Sequence, residues 1–325
     1  MNLNNLRLVF LDAATFGDVS LDRFTRQWNC TIHRLTAPTE VMARLQGYQV
    51  AIVNKVALNK SILISPAAAD LKMIAVAATG TDNVDLETAR DRGVCVCNVP
   101  GYAAQSVAQF TLALILELAT RAGGYGEVVR RGAWEESPIY TRFDFPTTEL
   151  RGKKLGLVGY GNIGRKVVEM AQGLGMEVLI SERPRSTGPV PPGRRPFDEV
   201  LAFSDFLSLH CPLTPNTKNL IDSRALERMK PGAFLINTAR GALVDEAALI
   251  QALSDGKLAG AALDVISQEP PPADHPVIAA AKKLDNLLVT PHCAWSTREA
   301  RERLMSEVVE NIAAFLKGVQ RNRVV

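Results

Sequence analysis

Leu155-Gly156-Leu157-Val158-Gly159-Tyr160-Gly161-Asn162-Ile163-Gly164 is the stretch that decides the fold of this chain. A short apolar run enters G-x-G-x-x-G and then a helical pattern. Each glycine has its own task in such a turn. Gly159 permits the tight bend, Gly161 lets the backbone approach a pyrophosphate, and Gly164 lets helix and strand pack closely. The free N–H groups and the dipole of the helix N-terminus favour the phosphate charge. Working outward, a second strand over 177–181 ends at Glu182. An acid about 20 residues past the turn suits a ribose diol. Alone, the glycine pattern is a weak signal. Flanked by strand, helix, strand and terminal acid, it marks a dinucleotide-binding unit.

The rest of the chain fits around that unit. At 325 residues it is long enough for two domains. A hydrophobic content of 47% and a charged content of 22% are those of an ordinary globular protein. A net charge of +3 gives no reason to expect nucleic acid or an anionic membrane as a partner. The apolar stretch 8–11 stops at Asp12 and reads as a buried strand, not a signal peptide. The longest apolar run, 111–116, is too short for a bilayer. A cytoplasmic protein is therefore expected. The cysteines Cys30, Cys95, Cys97, Cys211 and Cys293 are odd in number and lack metal-ligand spacing, so no metal is expected. Cys95 and Cys97 alternate along one strand face and read as core. Cys293 adjoins a candidate catalytic histidine, where it reads as a bystander open to oxidation.

Strands over 6–11, 50–53, 73–77 and 94–97, separated by helical stretches, indicate parallel β/α units. Pro100-Gly101 breaks the chain, and a long apolar helix over 104–122 follows, ended by Gly123-Gly124. From residue 155 a second series has strands over 155–158, 178–181, 206–209, 233–237, 260–265 and 287–290, the six of a dinucleotide-binding sheet. The last helix, 298–316, comes after that sheet is complete and is expected to return to the first domain. The expected fold class is α/β, with two doubly wound parallel-sheet domains and a cleft between them. Residues 1–101 and 295–325 form a discontinuous, flavodoxin-like substrate domain. Residues 102–294 form a Rossmann NAD-binding domain. The segment Pro189 to Pro196 reads as a surface loop.

Three polar residues lie just past strands of the second series: Arg240, Glu269 and His292. In open α/β sheets, ligands sit outside the carboxyl ends of the strands, so all three should face one crevice. An arginine can hold a carboxylate through two charge-assisted bonds. A histidine can exchange a proton near neutral pH. A carboxylate on its other nitrogen fixes the tautomer and favours the charged ring. Singly, each has an ordinary role: a core or capping histidine, a surface-pair arginine, a loop acid. Together they are the parts needed to reduce a 2-keto acid with a nicotinamide.

The sequence resembles the D-isomer-specific 2-hydroxyacid dehydrogenase family over essentially its whole length. The matching pieces are Ala78-Thr79-Gly80-Thr81-Asp82-Asn83-Val84-Asp85, Gly159 to Gly164, and His210-Cys211-Pro212-Leu213-Thr214. Further along come 229–241, Asp264-Val265 with Glu269-Pro270, and Thr290-Pro291-His292. The resemblance places the family's catalytic arginine, glutamate and histidine on Arg240, Glu269 and His292. It implies that backbone N–H groups near Thr79 and Gly80 bind the substrate carboxylate together with Arg240. It also implies cofactor contacts at Gly159, Gly161, Asn162, Ile163, Gly164 and Glu182. His210, Pro212 and Thr217 line the adenosine side in that reading, and Thr238, Ala239 and Asp264 lie near the nicotinamide, with His292 and Ala294. Ala294 stands where much of the family has glycine. Val107 is a further candidate for packing against the nicotinamide.

Within the family the chain is most similar to the glycerate dehydrogenase (hydroxypyruvate reductase) group, through the stretch from Ala77 to Leu86 and Pro291-His292-Cys293-Ala294-Trp295. This implies NAD(P)H-dependent reduction of hydroxypyruvate or glyoxylate to D-glycerate or glycolate. Glu182 would repel a 2′-phosphate and points to NAD, but Arg183 and Arg185 follow at once and arginines there can bind that phosphate, which keeps NADP open. The helix 104–122 and the segment 126–150 resemble the family's dimerisation region. A homodimer is implied, with Leu112 and Leu116 between subunits and Trp134, Tyr140, Phe143 and Phe145 on an arm. D-lactate, phosphite and phosphoglycerate dehydrogenases are alternatives. Formate dehydrogenase, which has glutamine at the position of Glu269, is disfavoured. An NADH-sensing, corepressor-like protein is the alternative outside enzymes. Specificity is expected to rest on Lys55, Thr79 and Trp295.

Overall fold

A computed structural model describes residues 6–186 and 188–325, and among these residues the strands gather into two parallel sheets. The chain divides into one unit of Met1–Ala103 with Ser296–Val325, and a second of Ala104–Trp295.

In the first unit, β1 (Arg7–Phe10), β2 (Asn29–Ile32), β3 (Val50–Val53), β4 (Met73–Val76) and β5 (Cys95–Cys97) are ordered β2-β1-β3-β4-β5, the flavodoxin-like order. The runs Val-Ala-Ile-Val and Met-Ile-Ala-Val are buried throughout, as parallel strands covered on both faces must be. β2 has no such run. Asn-Cys-Thr-Ile is half-exposed at the sheet edge, so hydrophobic patterning gave no sign of it. The helix Arg298–Leu316 buries Leu304, Met305, Val308 and Ile312, and its Asn311 Nδ2 donates to the Asn98 carbonyl at 2.9 Å. Beyond it the chain returns along β5, where Val324 N–H donates to the Val96 carbonyl at 2.7 Å. Cys95 and Cys97 do share a strand face, with Sγ atoms 3.7 Å apart.

In the second unit, β6 (Lys154–Val158), β7 (Glu177–Ile180), β8 (Phe206–Leu209), β9 (Ala233–Asn237), β10 (Leu258–Leu263) and β11 (Leu287–Val289) are ordered β7-β6-β8-β9-β10-β11. The usual dinucleotide-binding order is 3-2-1-4-5-6. Here the third strand is reduced to one residue. Arg195 N–H donates to the Ile180 carbonyl at 2.8 Å and the Arg195 carbonyl accepts from Glu182 N–H at 2.9 Å, on the side of β7 away from β6. The loop expected over Pro189 to Pro196 is thus a loop that carries this remnant. Across three neighbouring strands, Asn237, Leu263 and Val289 stand in register. The segments leaving β9, β10 and β11 therefore start side by side.

The long helix differs from the expectation at its end. It spans Ala104–Thr120, and after Arg121, at φ 57°, a second helix covers Ala122–Arg130. Gly123 and Gly124 lie inside that second helix. They make room: a Cβ on Gly123 would stand 3.1 Å from the Glu117 carboxylate, and one on Gly124 3.0 Å from the Phe145 ring. Leu112 is buried within its own unit, whereas Leu116 is exposed. Trp134, Tyr140 and Phe143 are exposed as well, but Phe145 packs edge-on against Tyr125 at 5.1 Å. No helix among the described residues is long and apolar enough to cross a membrane.

Candidate active site

The glycine turn joins β6 to the helix Asn162–Gly173. Gly159 has φ +101°, and a Cβ there would lie 2.5 Å from the His210 carbonyl carbon. Only glycine suits that position. A Cβ on Gly164 would come 2.4 Å from the Gly159 carbonyl oxygen, so the helix lies directly on the turn. Gly161 is different, because a Cβ there meets nothing within 4 Å. It faces open space and is the helix N-cap, with no side-chain cap bond. The uncapped N–H groups of the first turn, including those of Asn162 and Ile163, suit an anion approaching through that space. The Asn162 side-chain oxygen accepts from Arg165 Nη2 at 2.8 Å.

Glu182 follows β7, half-buried, and its Oε1 accepts from Phe197 N–H at 3.3 Å. Arg183 and Arg185 are exposed. Sequence reasoning passed over Arg194, which donates from Nη1 to the Ser181 carbonyl at 2.8 Å and lies 5.7 Å from the centre of the Tyr160 ring. It directly precedes the strand remnant at Arg195, which leaves no apolar pattern in the sequence. His210 wraps the turn, its N–H donating to the Val158 carbonyl at 2.7 Å. Its Nε2 meets Ser208 Oγ at 2.8 Å, while its buried Nδ1 has no partner among the described residues. Burial pushes its pKa down to about 3, so the ring is neutral. A buried nitrogen without a partner beside an open glycine face fits the adenosine and pyrophosphate of a dinucleotide. Pro212 is exposed, and the Thr217 hydroxyl is spent within its own loop, donating to the Pro212 carbonyl at 2.7 Å.

The chemistry-bearing residues gather at the ends of β9, β10 and β11. His292 Nδ1 lies 2.5 Å from Glu269 Oε2, with side chains 25% and 30% exposed. The other carboxylate oxygen, Oε1, accepts from Ile266 N–H at 3.0 Å. This sets Glu269 on one imidazole nitrogen and leaves Nε2 for proton exchange. Arg240 leaves β9 after Thr238 and Ala239 and is half-buried. Its Nη1 donates to the Ala239 carbonyl at 2.8 Å. Asn237, fully buried and given no role of its own by the sequence, ties that turn. Its side-chain oxygen accepts from Ala239 N–H at 3.0 Å and its amide donates to the Arg240 carbonyl at 2.8 Å. The buried Thr238 hydroxyl lies 3.1 Å from that of Thr111.

Asp264 holds the histidine loop. Its Oδ1 accepts from Thr290 Oγ1 at 2.6 Å and Cys293 N–H at 2.9 Å, and its Oδ2 from Ala294 N–H at 2.9 Å. The Ala294 carbonyl accepts from Ser106 Oγ at 2.6 Å. Val107 is buried. Burial and the Asp264 carboxylate raise the pKa of the Cys293 thiol, which works against the oxidation expected there, since the thiolate is the reactive form. In the first unit, Thr79 is exposed after β4, and its hydroxyl donates to the Val99 carbonyl at 2.9 Å. Gly80 beside it is half-buried. A cavity of about 450 Å³ opens at the opposite ends of the strands, near Lys153, Asp205, Gly232 and Asn286, and none of Arg240, Glu269 and His292 lines it.

A parallel sheet whose first strand enters such a turn, with a polar trio past the carboxyl ends of its strands, defines a dinucleotide-binding α/β oxidoreductase domain. Residues 112–294 match the family model of the D-isomer specific 2-hydroxyacid dehydrogenase NAD binding domain. The chain is 41% identical over 321 residues to the glycerate dehydrogenase of Methylorubrum extorquens, covering 97% of this chain and 98% of that one. It is 35% identical over 320 residues to the hydroxypyruvate reductase of Blautia hydrogenotrophica, covering 96% and 98%. The crystal structure of the TT0316 protein from Thermus thermophilus superposes with a TM-score of 0.85 at 36% identity, over 98% of this chain and 100% of that one. The chain belongs to the D-isomer-specific 2-hydroxyacid dehydrogenase family and is an NAD-dependent enzyme acting between 2-keto acids and D-2-hydroxy acids.

Proposed function

We propose that this enzyme reduces hydroxypyruvate, and glyoxylate beside it, to D-glycerate and glycolate, with His292 as the general acid. The carrying observation is the 2.5 Å contact between His292 Nδ1 and Glu269 Oε2, on neighbouring strand ends with Arg240. The nicotinamide, when bound, supplies the hydride. Arg240 grips the substrate carboxylate through its fork of donors. His292 delivers a proton from Nε2 to the carbonyl oxygen, and Glu269 stabilises the imidazolium before transfer. Thr79 and Gly80 remain candidates for the carboxylate end. The names of the Methylorubrum and Blautia relatives support the substrate assignment. Oxidation of NADH with hydroxypyruvate, glyoxylate and pyruvate, each alone, tests it. Turnover of hydroxypyruvate, lost by about 100-fold or more in His292→Ala with NADH binding retained, is expected. An unimpaired variant would remove His292 from the reaction.

The working state in this reading is a cytoplasmic homodimer. Exposed Trp134, Tyr140, Phe143 and Leu116 support an apolar face shared between copies. Light scattering after size exclusion should give twice the 35.3 kDa chain mass. A monomer at micromolar concentration would refute it.

A further inference from the structure

Two buried titratable side chains beside the site have no part in the reaction described above. Glu246 opens the helix Glu246–Ser254, and its side chain is 14% exposed. It is not the cap of that helix. Asp245 does that work, its side chain accepting from Ala248 N–H at 3.1 Å. Glu246 reaches sideways instead. Its Oε1 accepts from Ser267 N–H at 2.6 Å and its Oε2 from Ser267 Oγ at 2.7 Å. The second group, His275, is buried, with Nε2 3.7 Å from Glu246 Oε2. Its Nδ1 accepts from Val277 N–H at 3.3 Å. A neutral ring therefore carries its proton on Nε2, the nitrogen that faces Glu246.

Holding a carboxylate out of water is costly unless its oxygens are well matched. Here both oxygens are spent on one residue, and that residue lies in the turn that presents Glu269. Ile266, just before Ser267, donates its N–H to Glu269 Oε1. Glu269 in turn meets His292. From another direction the same peptide is backed by Gly241, whose hypothetical Cβ would stand 1.9 Å from the Ile266 carbonyl carbon.

We propose that Glu246 is a positioning residue for this reaction, clamping the Ser267 peptide and so fixing how Glu269 meets His292. The inference rests on the roles given to His292 and Glu269 above. The bonds of Glu246 go to Ser267, and its effect passes through the backbone of the turn.

Three variants test it: Glu246→Ala, Glu246→Gln and Ser267→Ala. Two readouts are needed. One is kcat and KM for hydroxypyruvate together with the Kd for NADH. The other is the downfield proton NMR signal of the His292 imidazole N–H, identified by its loss in His292→Ala. Glu246→Ala should lower kcat by about 10- to 100-fold, leave the NADH Kd within about twofold, and broaden the NMR signal. Glu246→Gln should recover most of the rate, because its amide oxygen still accepts from Ser267. Wild-type kcat and an intact NMR signal in Glu246→Ala would overturn the proposal. So would a parallel loss of kcat and NADH affinity that Glu246→Gln does not rescue. Where Glu246→Ala fails to fold, Ser267→Ala carries the test, and a wild-type rate there overturns it. A wild-type rate in His292→Ala would instead refute the reading of the trio, and the effect of Glu246→Ala on the NMR signal of the wild-type histidine would then decide the clamp alone.

Discussion

Gly241→Ala adds one methyl group at the most crowded backbone contact of the candidate active site. Gly241 lies in the short 3-10 turn Gly241–Leu243, which alanine can enter without backbone strain, so the effect is steric. The new Cβ would meet the Ile266 carbonyl carbon at 1.9 Å, its oxygen at 2.1 Å and Ser267 N at 2.4 Å. Ordinary contact begins at 3.4 Å, so one segment must retreat by about 1.5 Å. No flexible side-chain tip can absorb that, because every opposing atom is backbone. Overpacking of this kind costs about 1–3 kcal/mol, which lowers the midpoint of thermal unfolding by about 2–12 °C.

The larger consequence is catalytic. The displaced peptide joins Ile266 to Ser267, directly after the Ile266 N–H that donates to Glu269 Oε1, and the chain beyond it leads into Glu269. A shift of about 1 Å in a reacting constellation costs on the order of 100-fold in rate. The glycine turn at Gly159 to Gly164 does not touch this peptide. Steady-state kinetics with hydroxypyruvate should therefore show kcat down by about two orders of magnitude, while NADH fluorescence titration gives a Kd close to that of the wild type. A variant with kcat within about threefold of wild type and an unfolding midpoint lowered by less than about 1 °C would refute the steric reasoning.

The other expectations are simpler. Arg240→Lys keeps the charge but loses the planar fork, so kcat/KM for the keto acid should fall by about 10- to 100-fold, measured against an unchanged NADH Kd; equal efficiency would mean that Arg240 does not grip the carboxylate. Gly159→Ala should fail to fold by circular dichroism, because its Cβ collides with His210 backbone at φ +101°, whereas Gly161→Ala should fold normally and bind NADH weakly; equal behaviour of the two would contradict the open face at Gly161. The depressed pKa of His210, about 3 against an ordinary 6.5, means that the folded state takes up fewer protons than the unfolded one between those values. Its contribution is complete above pH 6.5 and is lost as pH falls toward 3, so the unfolding midpoint should drop on acidification below pH 6.5, and His210→Gln should flatten that slope. An unchanged slope would show that the ring is not held neutral.

Much of this arrangement was legible because it rests on local chemistry. Glycine turns, apolar strand runs and polar residues just past strands leave direct marks, and Gly159, Arg240, Glu269 and His292 are singled out that way as candidates. What escaped depends on contacts between distant segments. β2 has no apolar run because it is an edge. Arg195 joins β7 through backbone groups alone, which carry no side-chain signature. The glycines at 123 and 124 looked like a helix stop, but their small size serves Glu117 and Phe145 packing against them. Asn237 gave no sign of its task because a buried asparagine at a strand end is defined by the turn it closes. Glu246 stood next to an obvious capping aspartate, and only the fold brings Ser267 to it.

The way His292 is held also explains why its neighbourhood is made of backbone bonds. At φ 50° the residue sits in the left-handed region, which costs a non-glycine residue about 1–2 kcal/mol. The strain persists because Asp264 fixes both flanks. Its carboxylate takes Thr290 Oγ1, Cys293 N–H and Ala294 N–H, and its carbonyl takes the His292 N–H at 2.8 Å. Each of these hydrogen bonds contributes on the order of 1 kcal/mol, more where the acceptor is charged, so together they outweigh the backbone strain. Fixing the loop from below through its main chain leaves the imidazole gripped by Glu269, on Nδ1. A second side chain on the ring would consume Nε2, the nitrogen that the proposed proton transfer uses. The bonds from Asp264 thus hold the strained backbone of His292 in place, while Glu269 holds its ring at Nδ1.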